Sequence, residues 1–272
     1  MKKLKMYCIT INDNHAKIIN EIGYTPVGLG KSINSNLFVR DNSNLNISKK
    51  NDFYGEYTFH YWLWKNKLLD KETNWIGFCQ YRKFWSTKKE LNQNIQFLEF
   101  NKTILKDIPE EHESYEAILG EPLFLKNESI TKIFKYGKRA LLKNPINLFT
   151  KNNTIEFHFD MFHGVGNLSK AIEVLDSEEK NDFKNFVKNN VAFNPHNMFI
   201  CKSKKILFSY YESVFPWLER CEKIFGFENL ESYGLKRIYG FLAERYMSYW
   251  FQKYSKFKLM PIYFKDISDF KL

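Results

Sequence analysis

Apolar and polar positions alternate along the chain in two kinds of block. Apolar runs of about four to eight residues between polar segments predict buried strands, and apolar residues that recur every three or four positions predict helices. The predicted strands cover residues 6–11, 74–79, 115–119, 197–201 and 258–264. The predicted helices cover residues 51–69, 169–175, 182–191, 203–226 and 235–254. This alternation predicts an α/β fold with a mostly parallel or mixed central sheet flanked by helices.

The predicted helix at residues 203–226 has recognisable features at its start and in its interior. Ser203 can cap its amino terminus by accepting a backbone hydrogen bond, and Pro216 is expected to kink it because proline has no amide hydrogen. No internal repeat and no linker-like segment divides the chain. We therefore expect residues 1–272 to form a single domain.

Composition narrows the class of protein. Of the 272 residues, 44% are hydrophobic and 26% charged, a balance that excludes disorder, collagen and coiled coil. The formal net charge of +10 favours an anionic partner, such as a nucleotide, a nucleic acid or an acidic membrane face. The alternative is a positive charge spread over a solvated surface. Aromatic residues make up 18% of the chain, which suggests that some of them line a groove.

The cysteines and the hydropathy pattern point to a cytoplasmic location. The four cysteines form no C-x-x-C pair and are expected to be reduced core thiols. The apolar stretch after the basic first residues is too short for a signal peptide. No run reaches the roughly 18 apolar residues of a membrane span, so any membrane association is expected to be peripheral.

Three polar segments are candidate binding sites. The sequence has no complete P-loop or G-x-G-x-x-G motif, although residues 28–32 resemble the end of a phosphate loop and make Lys31 a candidate. A plain turn is the alternative there. Asn46, Lys50 and Asn51 lead into a predicted helix, where free amide groups favour phosphate, and a solvated capping loop is the alternative. Residues 81 and 82 follow a predicted strand, where α/β proteins bind ligands.

The last predicted helix has a polar face. At about 100° per residue, Arg237, Gly240, Glu244 and Ser248 lie opposite an apolar face. Glycine costs about 1 kcal/mol in a helix interior, so Gly240 indicates that a ligand or a strand approaches closely. A plain exposed face is the alternative. Glu244 is a candidate general base, or a partner that orients Arg237 or Arg245.

Residues 158–164 form the nearest cluster that could bind a metal. His158 and Asp160 would share one face of a strand, and Asp160 and His163 one face of a helix, so a strand-to-helix junction could present all three. They are then candidate metal ligands, or a catalytic base with its partner. The alternative is two half-buried histidines and an aspartate that caps a helix.

Several sequence blocks together resemble the domain-of-unknown-function 4422 family, the glycosyltransferase-like proteins of bacterial capsule and exopolysaccharide biosynthesis. The early blocks are D-N, N-I-S-x-K-N, E-x-T-x-x-Y-W-x-W-K-N and W-I-G-x-C-x-Y-R-x-F, and the late ones are residues 193–200 and 237–245. The resemblance covers most of the chain and is weakest over residues 87–191. The family usually has histidine where this sequence has Gln80, so a metal or donor role at that position would be weakened or altered.

The resemblance implies a single GT-A-like, Rossmann-like domain that transfers a sugar from a nucleotide donor to a glycan acceptor. By analogy the donor would be linked to uridine diphosphate, and the acceptor could be carried on a lipid. Residues 1–120 would bind the nucleotide sugar and residues 121–272 the acceptor. The candidates for catalysis are Asp160 and Glu244. The candidates for donor binding are Lys31, Asn46, Lys50, Asn51, Tyr81, Arg82, Arg237 and Arg245. The candidates for acceptor binding are His158, His163, Asn194, His196 and Asn197.

The cofactor and the class of function have alternatives. GT-A enzymes commonly hold a divalent cation with an Asp-x-Asp pair, and this sequence has none. Both manganese or magnesium held by other residues and a metal-independent reaction, with arginines neutralising the diphosphate, stay open. A metal-dependent hydrolase centred on His158, Asp160 and His163 is the alternative enzyme. A basic nucleic-acid-binding module is a weaker alternative, and we expect no nucleic acid partner because no RNA or DNA motif is present.

Overall fold

The computed structural model describes residues 2–31, 33–69, 75–88, 94–125 and 153–270. The strands in these ranges are β1 Lys2–Thr10, β2 Thr25–Gly28, β3 Trp75–Gln80, β4 Lys83–Trp85, β5 Asp107–Ile108, β6 Ala117–Gly120, β7 Leu123–Phe124, β8 Ala192–Phe193, β9 Phe199–Cys201, β10 Phe257–Met260 and β11 Ile262–Phe264. The α-helices there are α1 His15–Glu21, α2 Asn51–Tyr54, α3 Tyr57–Asn66, α4 Phe97–Thr103, α5 Ile155–His163, α6 Asn167–Glu173, α7 Ser177–Asn189, α8 Lys204–Phe225, α9 Tyr233–Lys236 and α10 Ile238–Tyr254.

A mixed sheet forms the centre of the fold, in the order β10-β6-β9-β3-β1-β2. β1, β2 and β3 are parallel to one another, and β10 is parallel to β6. β9 runs antiparallel to both of its neighbours, β3 and β6. The start of β9 therefore lies at the same edge of the sheet as the carboxyl ends of β1, β2 and β3.

Both faces of the sheet are covered, because successive side chains of a strand point to opposite faces. On β1, Tyr7 and Ile9 belong to a core with residues of α3, α8 and α10. Met6 and Cys8 belong to a second core with residues of α1 and α4. The result is a three-layer structure, and the predicted α/β architecture with a mixed central sheet between helices is confirmed.

The predicted start of the helix at Ser203 agrees with the structure. Ser203 caps α8 by accepting a hydrogen bond from the Ile206 amide at 3.3 Å, as predicted. α8 continues through Pro216 to Phe225. Residue 74, the predicted first residue of β3, lies outside the described residues.

Two predicted elements are each divided in the structure. The predicted helix at 51–69 is interrupted because Gly55 has a φ of +58°, and its second part ends at Asn66. The predicted strand at 258–264 is two strands on either side of Pro261, which cannot donate a ladder hydrogen bond. β10 pairs with β6, whereas β11 pairs with β4.

Candidate functional site

A cavity of about 560 Å³ opens at the edge of the sheet where β1, β2 and β3 end. Residues that follow these strands line it on one side, and residues that precede β9 line it beside them. The first turns of α2 and α10 complete its walls. Early and late parts of the chain therefore meet at one cavity. Its lining includes the predicted site residues Asn51, Tyr81, Arg82, His196, Asn197, Arg237 and Glu244.

Glu56 lies at the centre of the polar network in this cavity. Its carboxylate accepts a hydrogen bond from Asn197 Nδ2 at 2.8 Å and forms an ion pair with Arg237 Nη2 at 3.3 Å. Gln80 Nε2 lies 3.4 Å from the same carboxylate. Gly55, the preceding residue, has no side chain to obstruct the Arg237 guanidinium, which a Cβ at this position would meet. Glu56 thus connects α2, β3, the approach to β9 and the start of α10.

The turn between β3 and β4 contributes two cations to the cavity. Lys83 Nζ donates a hydrogen bond to Gln80 Oε1 at 3.1 Å, and Gln80 Nε2 donates one to the His196 carbonyl at 3.0 Å. Burial lowers the pKa of Lys83, while Glu56 acts in the opposite direction. The Arg82 guanidinium lies 4.8 Å from the centroid of the Tyr81 ring. That ring therefore supports the arginine at the cavity wall.

Behind Tyr81, a histidine fixes the position of the ring. The His15 imidazole packs on Tyr81 with 4.9 Å between centroids. Its two nitrogens lie 2.8 Å from Thr10 Oγ1 and 2.8 Å from Ser268 Oγ. Burial lowers the pKa of His15, so the imidazole is neutral near pH 7.

The approach to β9 adopts an unusual backbone. His196 and Asn197 both have positive φ, at +78° and +53°. The His196 amide donates to Glu244 Oε1 at 2.5 Å, and Asn197 Nδ2 also donates to the Gly240 carbonyl at 3.2 Å. A backbone that is strained at two successive residues is retained because the surrounding contacts hold it in that conformation. Burial lowers the pKa of His196 to about 3, and Lys83 contributes, so the imidazole facing the cavity is neutral.

Glu244 lies on the cavity wall at the first turns of α10. It is 8% exposed, and its second oxygen pairs with Arg245. Burial raises the pKa of its carboxyl, and Arg245 opposes the rise. Gly240, one turn earlier, brings α10 close to α2, since a Cβ there would lie 3.1 Å from the Tyr54 carbonyl oxygen. The close approach that Gly240 predicts is therefore made by a neighbouring helix.

Several predicted donor-binding residues lie away from the cavity lining. Lys50 forms an ion pair with Glu222 at 2.6 Å. Asn46 Oδ1 accepts a hydrogen bond from Ser48 Oγ at 2.8 Å, which fits the capping-loop alternative. Lys31 is exposed in a turn. Arg245 is 1% exposed, between Glu244 and His158, so it supports the cavity wall from behind.

The predicted strand-to-helix junction around Asp160 is wrong, because residues 155–163 form one helix, α5. Thr154 caps this helix through the Phe157 amide. Asp160 accepts a hydrogen bond from the Gly166 amide at 2.9 Å, and His163 Nδ1 lies 3.0 Å from the Gly234 carbonyl. His158 Nδ1 lies 3.2 Å from Arg245 Nη2. These three side chains therefore have separate partners and do not line the cavity.

Asn194 is buried and does not line the cavity. Its Nδ2 donates to the Gly120 carbonyl at 2.7 Å, and its amide donates to Ser248 Oγ at 2.6 Å. It therefore anchors the approach to β9 between β6 and α10. The cavity lining does not include Asn194, so its predicted contact with an acceptor would have to lie elsewhere.

Among the cavity residues that sequence reasoning missed, Glu56 and Lys83 belong to the polar network described above. Glu56 is the glutamate of the E-x-T-x-x-Y-W block, so the sequence contained a signal for it. Lys83 directly follows Tyr81 and Arg82, yet a lone lysine after a strand gives no indication that it is half-buried in a cavity. Glu56 acquires its role from residues far away in the chain, and Lys83 from the cavity that surrounds it.

The carboxylates of the cavity do not suit a metal ion. Within the described residues, no group of three or more histidine, cysteine, aspartate or glutamate side chains is arranged to bind one. Glu56 and Glu244 are paired with arginines, and Asp52 is paired with Lys236 at 2.9 Å. Among the same described residues, no helix is both long and apolar enough to span a bilayer.

A family model described as domain of unknown function (DUF4422) matches residues 5–256. The structure is similar to the apo structure of the WbbM bifunctional glycosyltransferase, with a TM-score of 0.67 and 22% sequence identity. The match covers 97% of this chain and 45% of the WbbM chain, so this chain spans less than half the length of that protein. A search of curated proteins finds no match.

Proposed function

The chain belongs to the family described as domain of unknown function DUF4422, and from this premise we propose that it is a glycosyltransferase. In this proposal it transfers a sugar from a nucleotide-sugar donor, linked to uridine diphosphate, to a glycan acceptor in capsular, exopolysaccharide or lipopolysaccharide biosynthesis. The similarity of fold to WbbM, described as a bifunctional glycosyltransferase, supports the reaction class.

One observation supports this proposal most strongly: cations, a buried carboxylate and neutral polar groups share a cavity at the carboxyl ends of parallel strands. α/β proteins bind ligands at this position. Arg82 and Lys83 follow β3 on one side, and Glu244 lies on α10. A donor diphosphate against the cations would bring its sugar towards the carboxylate.

The reaction breaks the bond between the anomeric carbon of the sugar and the diphosphate oxygen. The electron pair of that bond leaves with the nucleoside diphosphate, and an acceptor hydroxyl oxygen bonds to the anomeric carbon. The cations stabilise the charge that grows on the leaving group, which is commonly the largest contribution to such catalysis. No step is assigned to a metal, since the cavity carboxylates are engaged by cations.

Glu244 is the proposed general base, which takes the proton of the acceptor hydroxyl. Among the two predicted catalytic carboxylates, it is the one that lines the cavity, whereas Asp160 accepts the Gly166 amide elsewhere. The raised pKa of Glu244 makes its carboxylate a stronger base than an exposed one. His196 and Asn197 would line the acceptor side of the same cavity.

The remaining features of the proposal follow from the sequence. Residues 1–272 would form a single catalytic domain, with residues 1–120 supplying most donor contacts and residues 121–272 most acceptor contacts. The acceptor would be a saccharide, which can be carried on a lipid at the inner face of the cell membrane. We accordingly propose a cytoplasmic protein that associates peripherally with that membrane and has no nucleic acid partner.

A nucleotide-sugar screen tests the proposed function. Thermal unfolding of the protein with each nucleoside diphosphate and nucleotide sugar, with and without manganese, should show stabilisation by one nucleotide class, because bound ligands raise the melting temperature by mass action. Transfer to saccharide acceptors is then measured with the stabilising donor. Absence of stabilisation and of transfer across the panel would refute the glycosyltransferase proposal.

The base is tested with Glu244→Gln. Loss of a general base should lower kcat by about 10²–10⁴-fold while nucleotide binding is retained. Asp160→Asn is the matched control, since Asp160 also accepts a hydrogen bond but lies outside the cavity, and it should retain turnover close to that of the wild type. Wild-type turnover in Glu244→Gln would remove the base assignment and leave the reaction class intact.

A further inference from the structure

Lys83 differs from the other cations around the cavity. Arg237, Lys236 and Arg245 each form an ion pair with a carboxylate. Among the contacts of the described residues, Lys83 instead donates to the neutral amide oxygen of Gln80 at 3.1 Å. Its charge is therefore not neutralised by a direct ion pair in that part of the chain.

Gln80 determines where the Lys83 ammonium lies. Its Nε2 donates to the His196 carbonyl at 3.0 Å and lies 3.4 Å from Glu56, so its Oε1 is directed towards Lys83. An amide holds the lysine through a hydrogen bond while leaving its positive charge uncompensated. A carboxylate at residue 80 would hold the lysine equally well but would cancel its charge.

Arg82 presents a second cation next to Lys83. Its guanidinium lies against the Tyr81 ring, its side chain is 60% exposed, and its nearest carboxylate, Asp266, is 4.0 Å away. An exposed pair at this distance contributes little, so Arg82 is available to an anion. Two adjacent residues thus present two available cations to one cavity.

Keeping a half-buried lysine with only a neutral amide as its hydrogen-bond partner costs free energy, as its lowered pKa indicates. Groups retained at such a cost in a cleft are candidates for function. The groups that face Lys83 are Gln80, Arg82, His196, Glu56, Glu244 and Arg237. The two carboxylates among them are engaged by arginines, so a dianionic ligand would satisfy the lysine better than its protein neighbours.

We propose that Lys83 and Arg82 together bind the diphosphate of the nucleotide-sugar donor, and that Gln80 is the positioning residue that presents Lys83 to it. This inference rests on the proposed glycosyltransferase function and specifies its donor subsite. Of the predicted donor-binding arginines, it selects Arg82 for the diphosphate rather than Arg237, which is held by Glu56. Two adjacent cations match the two negatively charged phosphates of the ligand.

Calorimetric titration of the whole protein tests the subsite with three probes: UDP, uridine and inorganic pyrophosphate. If ADP, CDP or GDP binds more tightly than UDP, the titrations use that nucleoside diphosphate and its own nucleoside in place of UDP and uridine. Lys83→Met should weaken diphosphate and pyrophosphate binding by about tenfold to a hundredfold, the effect of losing a charged hydrogen bond. The affinity for the nucleoside should stay within about twofold of the wild-type value, since the nucleoside lacks the phosphates.

Two further variants separate charge from structure. Lys83→Arg retains a cation and should restore most of the diphosphate affinity. Lys180→Met is the matched control: Lys180 lies on α7, pairs with Glu173 at 3.4 Å and is outside the cavity, so its loss should leave all three affinities unchanged. Thermal unfolding of each variant confirms that it is folded before titration.

The outcomes distinguish this inference from the proposed function. If the wild type binds a nucleoside diphosphate and Lys83→Met binds it equally tightly, the subsite is wrong and the glycosyltransferase proposal stands. Equal weakening of nucleoside and diphosphate by Lys83→Met would also overturn the subsite, because it indicates a general disturbance. If the wild type binds neither diphosphates nor pyrophosphate, both proposals are wrong.

Discussion

The two walls of the cavity contain similar charged side chains in different circumstances. The strand wall, residues 80–83, presents Arg82 and Lys83 without a close carboxylate partner among the described residues. The helix wall, residues 233–244, contains cations that pair with carboxylates, as Arg237 does with Glu56. The number of cations around a cleft therefore does not identify the ones that contact a ligand. The cations that lack a close carboxylate partner are the ones available to an anionic ligand.

The largest expected effect concerns the support of the helix wall. Arg245→Met would leave the Glu244 carboxylate buried without its cation and should lower the free energy of unfolding by about 3–5 kcal/mol. Guanidinium chloride denaturation measures the change. Arg82→Met, in the strand wall, should cost less than about 0.5 kcal/mol because Arg82 is largely exposed. Equal costs for the two variants would abolish the distinction between the walls.

A smaller effect is expected at Gly55, next to Glu56, whose carboxylate contacts both walls through Gln80 and Arg237. Gly55→Ala places a methyl group against Arg237 in a backbone with a φ of +58°, and should cost about 1–3 kcal/mol from strain alone. Gly226→Ala is a matched control, with a φ of +59° and no heavy atom within 4 Å of the added Cβ. The excess cost of Gly55→Ala, measured by thermal unfolding, reports the disturbed Arg237 and Glu56 pair.

Removal of the opposing side chain refines this measurement. In the double variant Gly55→Ala with Arg237→Ala, the methyl group no longer meets the guanidinium, so the excess cost should disappear in a double-mutant cycle. An excess that persists without Arg237 would show that the added methyl group acts on the backbone alone.

The last expected effect is the pH dependence of stability at His196, which accumulates gradually over several pH units. Its pKa is about 3 in the folded protein, below the value of about 6.5 in the unfolded chain. Between these values the unfolded state binds more protons, so stability falls as the pH decreases through that window, by at most about 1.4 kcal/mol per pH unit. His196→Asn, which tolerates positive φ, should make the slope of unfolding free energy against pH shallower.

The measurement compares urea unfolding of the wild type and His196→Asn between pH 7 and pH 4. Other buried histidines and carboxylates contribute to both slopes, so the difference between the proteins isolates His196. Identical slopes would mean that the His196 imidazole is not desolvated by its position beside Lys83.

Much of the fold is encoded in local patterns. The apolar runs that become β1, β3 and β9 identify the central strands, and Ser203 identifies the start of α8. The strand-to-helix junction predicted within residues 158–164 is wrong because a short run of alternating aromatic and polar residues suits either a strand or a helix. Tertiary packing of α5 decided between them.

The candidate site was predictable only in part, for a physical reason. Positions after strands and on a helix face indicated Arg82 and Glu244, which both line the cavity. The destination of a long cation depends on partners distant in sequence: Lys50 reaches Glu222, 172 residues away, rather than a phosphate site. Glu56 gained its role from Arg237, 181 residues away. No local spacing contains such information.

The reversed direction of β9 divides the cavity residues into two kinds. Its neighbours deliver side chains to the cavity as they leave the sheet, whereas β9 delivers His196 and Asn197 as it enters. The segment before β9 can therefore change in sequence without altering how β1, β2 and β3 pair. Under the proposed function, side-chain changes at this entrance would alter acceptor recognition while the pairing of the donor-side strands is kept.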